Sequence, residues 1–204
     1  MNAFFLLCDK ALAAIILTLM DLLPVFPIVI LAFCLLSIIL RKKGYKFSLL
    51  HEIAVAVFML YCAAVFWVTI PFDSLYYSII TGISPLRGGV NIIPFYGIFE
   101  ILQEGKTVVI VLNILGNIIM FLPLGFFLPL LWGKNSSPKA VLIFGALLSL
   151  LIETTQSFSY RGTDIDDVLL NTTGALAGYG SYRLINKLFP RFIFRFRLVR
   201  ANNL

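Results

Sequence analysis

From Thr107 to Leu131 the chain carries no charged side chain, and from Leu49 to Ile70 it carries only Glu52. About 20 mostly apolar residues in one helix cross the hydrocarbon of a bilayer, so runs this long are read as membrane spans. The segments Ala3–Leu23, Val25–Leu40, Pro138–Ser159 and Asp164–Phe189 read in the same way. The composition agrees: 60% of the residues are hydrophobic and 13% charged, where a soluble domain is nearer half and a quarter. The expected fold class is an all-α polytopic membrane protein with about five or six transmembrane helices. The number turns on the first segment, which Asp9, Lys10 and Asp21 interrupt. Either it lies in the interface, or Pro24 and Pro27 form a tight outer turn between two spans.

Orientation follows from the basic loops. The stretch Arg41–Lys46, the pair Lys134 and Lys139, and the tail arginines Arg191, Arg195, Arg197 and Arg200 all fall on one side of this segmentation. The positive-inside rule makes that side cytoplasmic, with both termini inside the cell membrane. The connection 71–106 and the turn Tyr160–Gly162 are then outside. Residues 1–70 form N-terminal transmembrane helices, 71–189 a membrane core and 190–204 a basic, aromatic tail. That tail suits the anionic inner leaflet through its four arginines, and not nucleic acid. The N-terminal run lacks the basic start and small-residue cleavage site of a secretory signal. Cys8, Cys34 and Cys62 lie in apolar runs without pairing spacing, so neither a disulfide framework nor a zinc site is expected. His51, alone beside Glu52, reads as structural or interfacial.

The polar residues gather at the outer side. Glu153, Asp164, Asp166 and Asp167 are four of the chain's ten acidic residues, and they sit at the facing ends of two apolar segments. Ionisable groups at membrane depth are expensive, and are usually paired and functional. Glu153 and Gln156 share a helix face, as do Asn113 and Asn117. Asp164, Asp167, Asn171, Gly174 and Gly178 make one stripe, polar outside and small inside, and G-A-L-A-G offers a close-packing surface. Pro123 predicts a kink and leaves the Ile119 carbonyl without its usual donor. In the outer connection, S-P-L-R-G-G-V-N-I-I-P-F reads as a structured turn, interfacial or re-entrant, that would bring Arg87 to the carboxylates. Arg161 lies in the turn itself, as a partner for the carboxylates or an interface anchor. Thr163 with Asp166 fits a capping box, which assigns Asp166 to the helix start. The Asn pair also suits plain interhelical hydrogen bonding. The candidate site is Glu153, Gln156, Arg161, Asp164, Asp167, Asn171, Asn113, Asn117 and Arg87.

Three blocks of this region resemble the VanZ-like family, named for a teicoplanin-resistance protein of glycopeptide-resistance clusters. They are R-G-G-V-N-I-I-P-F, N-I-L-G-N-I-I-M-F-L-P-L-G-F and E-T-T-Q-S-F-S-Y-R-G-T-D-I-D-D-V-L-L-N-T-T-G-A-L-A-G, in that order between Arg87 and Gly180. The resemblance implies Arg87, Asn91, Pro94 and Phe95 in the first block, adding Asn91 to the candidate site. It implies Asn113, Gly116, Asn117, Pro123 and Gly125 in the second. In the third it implies Glu153, Gln156, Arg161, Asp164, Asp166, Asp167, Asn171 and Gly174.

Three functions compete. The first is the binding or handling of an anionic amphiphile at the outer leaflet: a lipid-linked wall precursor, a glycolipid or a lipoglycopeptide. The resemblance adds lowered susceptibility to teicoplanin-type glycopeptides. Arginines and a helix N-terminus suit its phosphate or carboxylate. The second is an intramembrane hydrolase or transferase for a lipid phosphoester, with Glu153, Asp164 and Asp167 as catalytic candidates, and it alone would call for Mg²⁺. No Cys or His at the cluster, G-x-S-x-G or phosphate loop identifies a nucleophile. The third is a small transporter, for which midplane carboxylates and an internal repeat are expected. Here the polar groups are off-centre and no repeat is visible. No cofactor is otherwise expected.

Overall fold

The computed structural model describes residues 25–204 apart from 47, 71, 82–88, 104–106, 134–136, 158–161, 197–198 and 201–204. The first expected span, Arg87, Lys134, Arg161 and Arg197 lie outside the described residues. Five long helices follow the apolar runs: α1 (Val25–Lys42), α2 (Leu49–Thr69), α5 (Thr107–Trp132), α6 (Pro138–Gln156) and α7 (Ile165–Leu188). Between and after them lie the short helices α3 (Phe72–Thr81), α4 (Tyr96–Gln103) and α8 (Pro190–Phe194). Four two-residue strands complete the chain: β1 (Tyr45–Lys46), β2 (Val90–Asn91), β3 (Thr163–Asp164) and β4 (Val199–Arg200). Among the described residues, three helices are long and apolar enough to cross a membrane, at Leu49–Thr69, Val108–Trp132 and Pro138–Gln156. Helix α7 has 24 residues but carries Asp166, Asp167, Arg183 and Lys187.

Local chemistry starts these helices where the apolar runs begin. The Ser48 hydroxyl accepts from the His51 amide at 3.1 Å and caps α2. Ser137 does the same for Ala140 at 3.1 Å, with Pro138 pre-set in the first turn of α6. Helix α5 is a single unbroken helix through Pro123 and Pro129. The Tyr61 hydroxyl donates to the Met120 carbonyl at 2.6 Å, next to the Ile119 carbonyl that Pro123 deprives of its donor.

Side-chain contacts give the helix directions. Asn117 meets Asp167 and Phe126 meets Tyr182, so α5 and α7 run parallel. Helix α6 runs opposite to α7, since Ser149 meets Asn171 while Glu153 meets Asp164. Helix α2 runs opposite to α5, with Tyr61 on Met120 and Phe58 against Phe127 and Trp132. Thus the ends of α2 and α6 and the starts of α5 and α7 share one end of the bundle. Arg41, Lys42, Lys139 and the tail share the other.

Helices α5 and α7 touch backbone to backbone. A Cβ on Gly178 would lie 1.9 Å from the Leu122 carbonyl oxygen, and one on Gly174 2.3 Å from that of Ile118. From the other side, a Cβ on Gly125 would lie 1.7 Å from the Ala175 carbonyl oxygen. Helix α6 closes on the same point, where a Cβ on Gly145 would lie 2.9 Å from the Ala175 methyl. The small stripe read from the sequence is this contact. Phe121, Leu124, Val141 and Ile152 fill the core around it, while Ile30, Leu112 and Leu147 stay exposed, as a surface solvated by hydrocarbon allows.

At the basic end, β1 pairs antiparallel with β4, Tyr45 opposite Arg200 and Lys46 opposite Val199. The Ser48 hydroxyl donates to the Arg195 carbonyl, Arg41 pairs with Glu52, and His51 Nδ1 lies 2.6 Å from the Phe196 carbonyl. Ile193 is buried and Arg191 and Arg195 are exposed, so this part of the tail packs through its apolar side.

Gly178→Ala and Gly180→Ala separate packing from propensity. Nothing lies within 4 Å of a Cβ on Gly180, so alanine there should be neutral or stabilising by up to about 1 kcal/mol. Gly178→Ala must push two backbones apart, which should cost about 1–3 kcal/mol. Thermal unfolding in detergent should show a melting temperature lowered by about 2–4 °C per kcal/mol for Gly178→Ala alone.

Candidate functional site

The site is built around the turn that joins α6 to α7. Gly162 has φ +74°, a left-handed conformation that glycine takes without strain. The next two residues form β3, which pairs in parallel with β2: Val90 opposite Thr163 and Asn91 opposite Asp164. The Thr163 amide donates to the Gly89 carbonyl at 3.2 Å. Residues 89–91 are thereby stitched to the start of α7.

Asp164, in extended conformation (φ −125°, ψ 123°), caps α7: its Oδ1 accepts from the Asp166 amide at 2.9 Å. This corrects the expected capping box. Thr163 lies one residue too early, and its hydroxyl donates instead to the Glu153 carbonyl at 3.2 Å. Asp164 Oδ1 also accepts from Asn91 Nδ2 at 2.9 Å, while Asn91 Oδ1 accepts from the Ile93 amide at 3.0 Å. Glu153 Oε2 accepts from the Asp164 amide at 2.9 Å, and Glu153 is 2% exposed. Three carboxamide and carboxylate groups thus fix one turn from three elements.

Asp166 corrects the expectation a second time, because it serves another segment. Its Oδ1 accepts the amide of Phe95, a non-glycine residue held at φ +66°. A left-handed conformation costs such a residue about 1–2 kcal/mol, which this charge-assisted bond offsets. Gly97 follows at closest approach, where a Cβ would lie 2.6 Å from Asp164 Oδ2 and 3.6 Å from Asp166 Oδ2. Asp166 is 4% exposed, and its Oδ2 has no hydrogen-bond partner among the described residues.

A second chain of polar contacts runs along α5. Asn117 Nδ2 donates to Asp167 Oδ1 at 2.6 Å and to Asn113 Oδ1 at 3.0 Å. Asn113 is exposed on the helix surface, and Asn117 and Asp167 are half-buried. Two further candidates are placed apart from these chains. Asn171 Nδ2 donates to Ser149 Oγ at 2.9 Å in the α6–α7 interface, and Gln156 Nε2 donates to the Thr69 carbonyl at 2.9 Å, tying α6 to α2. Asn91, Glu153 and Asp164 therefore form one group, and Asn113, Asn117 and Asp167 another. Ser149, Thr69 and Gly97 were missed, and Phe95, which the resemblance implied, had been given no part in the site. Ser149 was legible, since Ser149, Glu153 and Gln156 follow i, i+4, i+7 on α6. Phe95 and Gly97 carry no periodic signal. Among the described residues, no three His, Cys, Asp or Glu side chains converge to hold a metal.

An apolar helical bundle with buried carboxylates at one end is a membrane protein with a polar site at one surface. The family model described as VanZ/LLP1 matches residues 28–186. The chain belongs to this VanZ-like family, and the match takes in α1 and α2, in a region where the sequence alone showed no family likeness, as well as the three motif blocks. No curated protein and no solved structure matches the chain.

Asp166→Ala removes the acceptor of the Phe95 amide, a charged bond worth about 1.5–3 kcal/mol. Hydrogen exchange at residues 90–97 should quicken about ten- to a hundredfold. Exchange in α5 should stay unchanged. Unaltered exchange at 90–97 would mean that the latch lies elsewhere.

Proposed function

We propose that this VanZ-like protein sits in the cell membrane with its basic end cytoplasmic and binds the head group of an anionic amphiphile at the outer leaflet. In this reading α1, α2, α5, α6 and α7 all cross the bilayer, and the segment ahead of Val25 decides between five spans and six. Residues 89–97 and α4 form an interfacial cover over the polar end. With six spans both termini are cytoplasmic and with five only the C-terminus is, and either count fits the basic excess at Arg41–Lys46, Lys139 and Arg191–Arg195.

One observation carries the functional reading. Polar groups step inward from the exposed Asn113 through the half-buried Asn117 and Asp167. The buried Glu153 and Asp166 lie at the same end of the bundle. Carboxamide donors that start on a lipid-facing helix offer a head group a hydrogen-bonded route out of hydrocarbon. Arg87 and Arg161, at the sequence borders of this end, would pair with the carboxylates when the site is empty and with the head group when it is filled. That exchange keeps each charge partnered in a low dielectric. The amphiphile would be a lipid-linked wall precursor, a glycolipid or a lipoglycopeptide, and its capture would lower susceptibility to teicoplanin-type glycopeptides.

A second reading rests on Asp166 Oδ2, buried, unpartnered among the described residues and beside Asp164. An unused carboxylate oxygen next to another carboxylate is the arrangement an intramembrane phosphoester hydrolase would use for acid/base work. It would make Asp166 the reacting group in place of Asp167.

A photoreactive residue at position 113 should cross-link a radiolabelled lipid-linked wall precursor in membranes. Asp167→Asn and Asn117→Leu should each cut the yield about tenfold while preserving expression, as loss of a charged hydrogen bond requires. In the same strains teicoplanin susceptibility should return to that of cells without the protein. Cross-linking that is unchanged in both variants would remove the head-group reading. Release of phosphate or alcohol from the bound lipid, abolished by Asp166→Asn, would favour the hydrolase.

A further inference from the structure

We propose a second lipid site at the basic end, in which an acyl chain of an anionic glycerophospholipid lies between α1, α2 and the end of α5. Helix α1 packs chiefly against α2. The wedge it leaves is a cavity of about 310 Å³ lined by Leu36, Leu40, Val55, Phe58, Met59 and Trp132. The most polar side chain in the lining, His51, engages the Phe196 carbonyl through Nδ1. A volume of this order is that of a small-molecule site, and its walls offer nothing that a polar ligand would recognise. Facing hydrocarbon, it is a seat for an alkyl chain.

Charge decides which lipid. Leu36 and Leu40 stand four residues apart on the cavity face of α1, and Lys43 continues that face three residues on. Lys43 stays in the helical turn, its amide donating to the Ile39 and Leu40 carbonyls at 3.1 Å each. Lys42 and Lys43 are exposed, while Arg41 is engaged with Glu52. One helical turn, about 5 Å, thus separates the apolar wall from Lys43, and Lys42, about 100° round the helix from it, adds a second cation at the same height. That is the arrangement of an acyl chain and its phosphate. Lysines near a membrane surface favour anionic lipids severalfold each. This site is independent of the head-group site at the opposite end, and requires only that the basic end meet a bilayer surface.

Trp132 reports occupancy directly. The chain has two tryptophans, so Trp67→Phe leaves Trp132 as the only emitter. The full-length variant is reconstituted in phosphatidylcholine vesicles containing a small, equal mole fraction of either dibrominated phosphatidylglycerol or dibrominated phosphatidylcholine. Brominated phosphatidylglycerol should show an apparent affinity about tenfold higher than the choline lipid. Adding Lys42→Gln and Lys43→Gln should erase that difference. Adding Val55→Phe, which fills the wedge, should reduce quenching by both lipids to the level set by their mole fraction. Equal quenching by the two lipids before any lysine change overturns the proposal. So does an anionic preference that survives the lysine pair, a measurement that does not depend on the core variant folding.

Discussion

The backbone contact between α5 and α7 is the constraint on which the rest depends. Gly125, Gly174 and Gly178 allow these helices to approach until no Cβ fits between them. In hydrocarbon, burial of apolar surface gives little drive for association, so close van der Waals contact must supply it. The same contact fixes the relative height of the two helices. Because they run parallel and their register is set by glycines, Asn113 and Asn117 near the start of α5 come level with Asp167 at the start of α7. A one-turn slip would move Asn117 about 5 Å from its acceptor Asp167.

From that register the polar end follows. Helix α6 arrives antiparallel and delivers Glu153 to the Asp164 amide. The turn is then rigid enough for a two-residue ladder, which would not hold alone, to dock Val90 and Asn91 against it. Asp164 and Asp166 divide the work between them. One caps the helix and holds Asn91, and the other reaches out to the Phe95 amide. All these acceptors gather at the N-terminus of α7, where the helix dipole favours negative charge.

The long helices were legible because each rests on an apolar run whose pattern can be read from the sequence alone. The expected Leu49–Ile70 became Leu49–Thr69, and the expected Asp164–Phe189 became Ile165–Leu188, differences within the fraying of helix ends. The glycine stripe was legible for the same reason, since spacing alone places it on one face. What was not legible depends on backbone angles or on partners distant in the chain. Whether Thr163 or Asp164 caps α7 is decided by the extended conformation of Asp164, which no spacing rule fixes. Strands of two residues have no period to detect, so the pairing of 90–91 with 163–164 left no trace in the sequence. The mixed Phe/Arg tail suits both a leaflet and a protein groove, and burial of Ile193 shows that it packs on the protein.

The charge balance of the polar end constrains what the proposed site can accept. Glu153, Asp164, Asp166 and Asp167 bring four carboxylates to one end of the bundle, and the α7 N-terminus offsets roughly half a charge. The asparagines add dipoles but no charge. An anionic head group entering alone would meet like charge in a low dielectric, where repulsion is strongest. It is admitted with cations that leave the carboxylates for it. Arginine suits this route, because its planar fork binds carboxylate and phosphate in the same bidentate geometry and moves between them without losing its charge. The proposed function therefore turns less on the acids than on Arg87 and Arg161. Replacing either by lysine would keep the charge yet lose the fork, and should weaken head-group capture more than it weakens the fold.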